Sequence, residues 1–211
     1  MSEDEPPVVE PATYDTELND EVGCVLLAAG QGTRFTEGNK LLHEIDGVPV
    51  VRRAVQPFLA VLDDVVVVVG HDAPAVRAAF DGLNITFVVN EEYTHGQSTS
   101  LHCGIVVARN RGWDGVLFGL GDMPFVDPES VQRLLKVHAA SSYTILAAAY
   151  QGDRGDPTLF DASHYDALSA IEGDQGGQTL IEESEGAALV ETNDPGVIRD
   201  INTVSQFEQY C

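Results

Sequence analysis

Lysine is nearly missing from this sequence of 211 residues. Lys40 and Lys136 are the only two, and together with nine arginines they face 34 acidic residues, a formal net charge of −23. Without a Lys/Arg cluster there is no electrostatic surface for nonspecific DNA or RNA binding, or for an anionic membrane. A small phosphorylated ligand needs only a few local donors and stays compatible with this balance. So acidic a chain, so poor in lysine, fits a protein of concentrated salt, as in a halophile, where self-repulsion is screened.

Other absences narrow the class further. No apolar run approaches the ~18 residues of a membrane-spanning helix, and no cationic leader precedes an apolar stretch, so the expectation is a soluble cytoplasmic protein. Cys24, Cys103 and Cys211 lack paired spacing, which argues for a reducing compartment without a disulfide framework or a cysteine–zinc site. His95 and His102 have no third ligand at suitable spacing, so capping, packing or surface roles are expected of them. Trp113, Phe118, Phe125 and Phe160 are expected to pack in the core.

Residues 1–21 carry eight acids without periodicity and are expected to form mostly an acidic mobile tail, with the ordered domain over 22–211. From Val22 apolar strands alternate with helices. Strands are expected at Val22–Ala28, Val65–Val69, Ile85–Val89, Trp113–Leu120, Ile145–Tyr150, Pro157–Phe160 and Ala187–Val190. Helices are expected over Val50–Leu62, Pro74–Phe80, Ser98–Arg109, Pro128–Ala140, from Ser163 onward through Leu168, and within the closing "INTVSQFEQY". The serine and threonine cluster at 98–100 is expected to cap its helix, and "QGDRGD" to connect two strands. The five valines 65–69 want apolar material on both faces, as in a central parallel strand. The architecture expected is α/β, a three-layer sandwich around a mostly parallel, Rossmann-like sheet.

The stretch "CVLLAAGQGTRFTEGNKLL" (residues 24–42) puts glycines and cations directly after the first strand. In open α/β sheets ligands bind beyond the carboxyl ends of the strands. Gly30 and Gly32 let backbone amides approach a phosphate, while Arg34 and Lys40 neutralise its charge. A tight structural turn with ordinary surface charges is the alternative. A dinucleotide fingerprint lacks its third glycine here, and a P-loop lacks G-K-[ST]. As a loop side chain Lys40 is expected to face solvent, so that its loss costs little folding energy. Beyond another strand, "GDMPFVDP" presents Asp122, suited to Mg²⁺ or to capping a turn. "IRDINTVSQF" offers Asp200 and Asn202 on one face if extended, with helix capping by Asn202 or Thr203 as the alternative. Gln97, Ser98 and Ser100 suit either hydrogen bonding to a ring or capping. Arg154 suits a phosphate or a salt bridge with Asp153 or Asp156.

The loop "LLAAGQGTRFTEGNKLL" resembles the signature of the nucleotidyltransferases of the molybdenum cofactor branch, related to sugar-phosphate and isoprenoid-alcohol nucleotidyltransferases. The resemblance covers about Val22 to Gln209. It implies a nucleotide-diphospho-sugar transferase type of fold, with Leu27, Ala28, Ala29, Gly30, Gly32, Arg34, Lys40, Gln97 and Ser98 at the nucleotide. It further implies Arg34, Lys40 and Asp122 as catalytic, Asp122, Asp200 and Asn202 at Mg²⁺, and Ser100 and Arg154 at the acceptor. Ala29 stands where guanylyl-transferring relatives have a second glycine, which leans toward cytidylyl transfer. Asn202 replaces the aspartate of a late "D-I-D-T" pattern. "YQGDRGDPTLF" resembles the acceptor-side segment of cofactor cytidylyltransferases, with Asp156 where histidine is frequent, and "GDQGGQTLI" resembles a late feature of that branch, with Gly177 where alanine is frequent. The activity implied is transfer of CMP from CTP to the molybdenum cofactor, with release of pyrophosphate and transient contact with molybdoenzymes. CTP or GTP with a sugar phosphate or phosphorylated alcohol, and a non-catalytic nucleotide-binding regulator, are the alternatives.

The high-salt expectation is checked by melting the protein in dilute and in multimolar potassium chloride. A higher midpoint in salt is expected, and equal or greater stability at low salt would reject it.

Overall fold

The computed structural model describes residues 6–10, 21–174 and 176–210. Gln175, Cys211 and most of the expected tail lie outside these. The first described strand, β1 (Val8–Val9), falls within that segment and pairs in parallel with β10 (Ala187–Glu191), so the tail expectation does not extend to residues 8 and 9.

Five elements open the domain: β2 (Val22–Ala28), the short antiparallel pair β3 (Glu44–Ile45) and β4 (Val48–Pro49), α1 (Val50–Leu59) and β5 (Val65–Val69). They are followed by α2 (Ala73–Ala78), β6 (Thr86–Val89), α3 (Gln97–Arg111), β7 (Gly115–Leu120) and α4 (Pro128–Ala140). The chain continues through β8 (Ile145–Tyr150), β9 (Asp153–Asp161), α5 (Tyr165–Ser169), α6 (Gln178–Glu183) and β10, and ends in α7 (Val204–Glu208). The main sheet runs β1-β10-β8-β9-β7-β2-β5-β6, parallel except that β9 is antiparallel to both neighbours.

Alternation along the strands explains the three layers. Cys24, Leu26, Val65, Val67 and Val69 face one core with Val51 and Phe58 of α1, Val76 of α2 and Leu134 of α4. Val25, Val66 and Val68 face the opposite core with Leu101 and Ile105 of α3, Leu168 of α5 and Ile181 of α6. A strand covered on both faces has no position for a polar residue, which is why β5 is valine throughout. Trp113, Phe118 and Phe160 are buried as expected.

Two departures have local causes. "QGDRGD" is not a free connection: only Gln151 and Gly152 turn, both at positive φ, and β9 already starts at Asp153. Nor do the serines and threonine cap α3, whose N-cap is Gly96 at φ 108°. Gly96 approaches so closely that an added Cβ would lie 2.3 Å from the Gly173 carbonyl oxygen.

The parallel strands β2, β5, β6 and β7 end together, with Leu27 opposite Leu120 and Ala28 opposite Val69. Because β9 runs the other way, it is its beginning, Asp153–Asp156, that lies at this same rim.

Candidate active site

The loop leaving β2 is held at both ends. His71 N–H donates to the Ala29 carbonyl (3.1 Å), Phe35 N–H to Gly32 O (2.8 Å), and Gly121 N–H to Leu27 O (2.9 Å). Gly32 turns at φ 58°, where a side chain is strained. The loop's one apolar anchor, Phe35, is buried with Ile45, Val50 and Ile201 in a third small core. The ring of Phe207 on α7 meets Phe35 edge-on at 6.3 Å. Asn39 accepts from Leu41 N–H (3.1 Å) and starts a 3-10 turn, Lys40–Leu42, that aims Lys40 back at the rim.

That third core also fixes the late acidic segment. Ile201, fully buried, donates its N–H to the Asp122 carbonyl at 3.0 Å, which places Asp200 and Asn202 beside Asp122. Lys40 Nζ donates to Asp122 Oδ2 (2.5 Å) and to Asn202 Oδ1 (3.1 Å). Arg34 Nη2 donates to the same Asn202 oxygen (2.8 Å), and Asn202 Nδ2 donates to Asp200. Lys40 is therefore an ion-pair member with 12% side-chain exposure, not the solvent-facing lysine expected. Thr203, with Gln206, forms the capping box of α7, which leaves the Asn202 amide to the site.

A cavity of about 510 Å³ collects Leu27, Ala28, Ala29, Gly30, Gly32, Arg34, Lys40, Asp122, Asp200 and Asn202. Away from these cations it is lined by Tyr93, Thr94, Gln97 and Ser100, with Asp174 beside them. Ala29 lines it while largely buried, its methyl directed at Gly70. A second cavity of about 490 Å³ shares Leu27, Gln97, Leu120 and Asp174 with the first and continues to Arg154, Asp156, Phe118 and Phe160.

Two sequence expectations are placed differently. Ser98 is buried, donates its N–H to Gly173 O (3.0 Å) and lines neither cavity, because the close approach at Gly96 turns it inward. Ser100, expected at an acceptor, lines the first cavity. Arg154 makes no salt bridge with Asp153 or Asp156 among the described residues, and is exposed at the second cavity. His95 is exposed, and His102 holds its Nε2 buried without a hydrogen-bond partner among the described residues. Not singled out in the sequence were Asp174, between the cavities and within "GDQGGQTLI", and Asn90, Tyr93 and Thr94.

Donor chemistry decides whether a divalent cation fits. The Asp122 and Asp200 carboxylates and the Asn202 amide oxygen are hard oxygen donors on one cavity wall. Such a partial set suits a cation that completes its shell with phosphate and water oxygens. Among the described residues no cluster of three His, Cys, Asp or Glu side chains stands ready by itself.

Burial pushes the Asp156 carboxyl up to about 6, opposed by Arg154 and by the Thr158 hydroxyl, and reinforced by Asp122 and Asp200. Charging it is thus harder in the folded chain than in the unfolded one. Its contribution is fully present below the ordinary carboxylate value and is lost as pH rises through about 6. Asp156→Asn, neutral at every pH, is expected to raise the thermal midpoint over the parent at pH 8, by up to about 3 kcal/mol of stability. The difference should close below about pH 4. A gap independent of pH in thermal melts would contradict this origin.

Comparison with known proteins gives the site a context. The sequence matches the MobA-like NTP transferase domain over residues 24–188. It is 32% identical over 179 residues to the bifunctional protein GlmU of Pseudothermotoga lettingae, covering 81% of this chain and 36% of that protein. A probable molybdenum cofactor guanylyltransferase of Natronomonas pharaonis is 34% identical over 113 residues, 53% of this chain and 54% of its own. The chain thus spans about a third and about half of the length of these curated relatives. Among solved structures, a nucleotidyl transferase from Methanothermobacter thermautotroptrophicus superposes with a TM-score of 0.76 at 27% identity, over 90% of this chain and 96% of its own. A Mycobacterium tuberculosis protein in complex with manganese does so at 0.69 and 26%, over 90% and 97%.

Proposed function

The chain belongs to the MobA-like NTP transferase domain family, and from that membership we propose that it transfers a nucleoside monophosphate, CMP from CTP, to the terminal phosphate of the molybdenum cofactor. One observation carries the reading. Arg34 and Lys40 from the first loop meet Asp122, Asp200 and Asn202 from two distant segments in one cavity, and a second cavity opens directly beside it.

The end with Arg34 and Lys40 takes the triphosphate, and the end at Tyr93, Gln97 and Ser100, which has no cation, takes the base. An acceptor phosphate oxygen, entering from the second cavity, attacks the α-phosphorus. A bond forms there, and the bond from the α-phosphorus to the bridging oxygen of the β-phosphate breaks, so pyrophosphate leaves with that electron pair. The acceptor is already an anion near neutral pH, so positioning and charge neutralisation are the main demands on the protein. Gly30 and Gly32 bring backbone amides to the phosphates, and Arg34 and Lys40 offset the charge of the leaving pyrophosphate. Mg²⁺, held by Asp122 with Asp200 and the Asn202 amide oxygen, supplies Lewis-acid neutralisation at the phosphate oxygens when bound. The manganese in the related M. tuberculosis structure supports a divalent cation of this kind.

The second cavity supports a ring-bearing acceptor: Phe118 and Phe160 offer apolar contact, Asp156 and Asp174 accept from ring N–H groups, and Arg154 suits a phosphate. A sugar phosphate or phosphorylated alcohol is the second reading, supported by the resemblance of the first loop to the sugar-phosphate and isoprenoid-alcohol nucleotidyltransferases. Pyrophosphate release with all four triphosphates against each acceptor separates the two. Transfer to a sugar phosphate and not to the molybdenum cofactor would overturn the first reading, and nucleotide binding without release would overturn catalysis.

Asp122→Asn is expected to lower kcat roughly 10²-fold or more, measured as pyrophosphate release. Lys40→Ala should raise the KM for the triphosphate and also leave Asp122 without its cation. Unchanged triphosphate use by Lys40→Ala in suitable salt would remove Lys40 from the mechanism.

A further inference from the structure

Asn90 lies just past the end of β6, 2% exposed, behind the Ser100 side of the first cavity. Its backbone N–H donates to Val69 O at 2.8 Å, which fixes it between two strand ends. Its side chain is fully engaged. Oδ1 accepts from Glu92 N–H (2.9 Å), and Nδ2 donates to Thr99 Oγ1 (2.8 Å) and to Ser100 Oγ (2.9 Å). A backbone N–H cannot act as an acceptor, so Glu92 settles which end of the amide is oxygen.

The two hydroxyls then differ. Thr99 passes its proton to the Gly96 carbonyl (2.8 Å), so its hydrogen bonds close within the protein. Ser100 accepts from Asn90, yet among the described residues its own proton meets no acceptor, although the residue is only 6% exposed and lines the cavity. A hydroxyl has one proton and two lone pairs, and one lone pair is occupied from behind. The remaining proton is left for a partner in the cavity.

We propose that Asn90 is a positioning residue for base recognition: it holds the Ser100 hydroxyl as a hydrogen-bond donor, so that this position reads a carbonyl oxygen or unprotonated ring nitrogen of the base and disfavours an amino or N–H edge. This rests on the nucleotide reading of the first cavity given above. A buried donor facing an N–H leaves both unpaired, which is why discrimination at such a position exceeds the value of the bond itself.

Asn90→Asp tests the polarity. A carboxylate of the same shape keeps the bond from Glu92 N–H but accepts from Ser100, turning the oxygen lone pairs toward the base. Binding of the four nucleoside triphosphates, as α,β-methylene analogues with Mg²⁺, is measured by calorimetry on the full chain, with inorganic tripolyphosphate as a probe that has no base. For Asn90→Asp the affinity ratio between the best- and worst-bound triphosphate is expected to fall roughly three- to tenfold, with tripolyphosphate affinity unchanged. Asn90→Ala, which frees the hydroxyl to rotate, should reduce the ratio in the same direction if the aspartate variant does not fold. Because Asn90 acts through Ser100, adding Asn90→Ala to Ser100→Ala should leave the selectivity of the single Ser100→Ala variant unchanged.

Equal losses for all four triphosphates and for tripolyphosphate would overturn the proposal, as would a further loss of selectivity in the double variant. A parent protein that binds triphosphates without preference among bases would overturn it and leave the proposed transfer standing. A parent that binds none would overturn both.

Discussion

The hydrogen bond from Ile201 N–H to the Asp122 carbonyl joins chain segments 79 residues apart (201 − 122) at the centre of the rim. Both ends are backbone, so neither depends on a rotamer. Ile201 enters the small core that also holds Phe35, and the burial that anchors the late segment anchors the glycine loop as well. Without this coupling, Asp200 and Asn202 would be ordinary residues before a short helix. With it, Lys40 and Arg34 reach a shared amide oxygen whose position is fixed from two sides.

The surplus of acid elsewhere gives these few cations their meaning. In a chain of net charge −23, an unpaired lysine at a rim lined by carboxylates is drawn to the nearest of them, and Lys40 is found on Asp122. In the proposed mechanism the same attraction serves the triphosphate, which offers more negative charge at the place where Lys40 already stands. In that proposed mechanism Arg34 and Lys40 need little rearrangement, since their contacts with Asp122 and Asn202 already hold them at the rim.

Much of the fold was legible because the sheet is buried on both sides. The five valines of β5 and the Asp-Pro start of α4 leave little choice of state, and both elements have the bounds expected of them. β9 was harder to read. Asp153–Asp156 is polar because it lies at the solvated rim, and a run of charge and glycine looks like a loop in sequence although its backbone is in the ladder. The capping of α3 was misread for a related reason: serine and threonine are good caps in general, but a glycine at φ 108° took that place and turned Ser98 into the interior. In the candidate site, the residues of the first loop and Asp122 could be found from their spacing after strands. Asn90 could not, since what matters about it is which groups the fold brings to its amide, and nothing within "GDQGGQTLI" singles out Asp174.

The reversed direction of β9 divides the rim by ancestry of chain. One cavity is built largely from residues before position 123, with Asp174, Asp200 and Asn202 added from later segments, whereas much of the other belongs to the β8–β9 hairpin and the stretch leading into α6. A hairpin tip can be lengthened, shortened or recoloured without moving the glycine loop or its anchors. Under the proposed transfer, the acceptor side can therefore be reshaped along the hairpin while the walls that meet the triphosphate stay as they are.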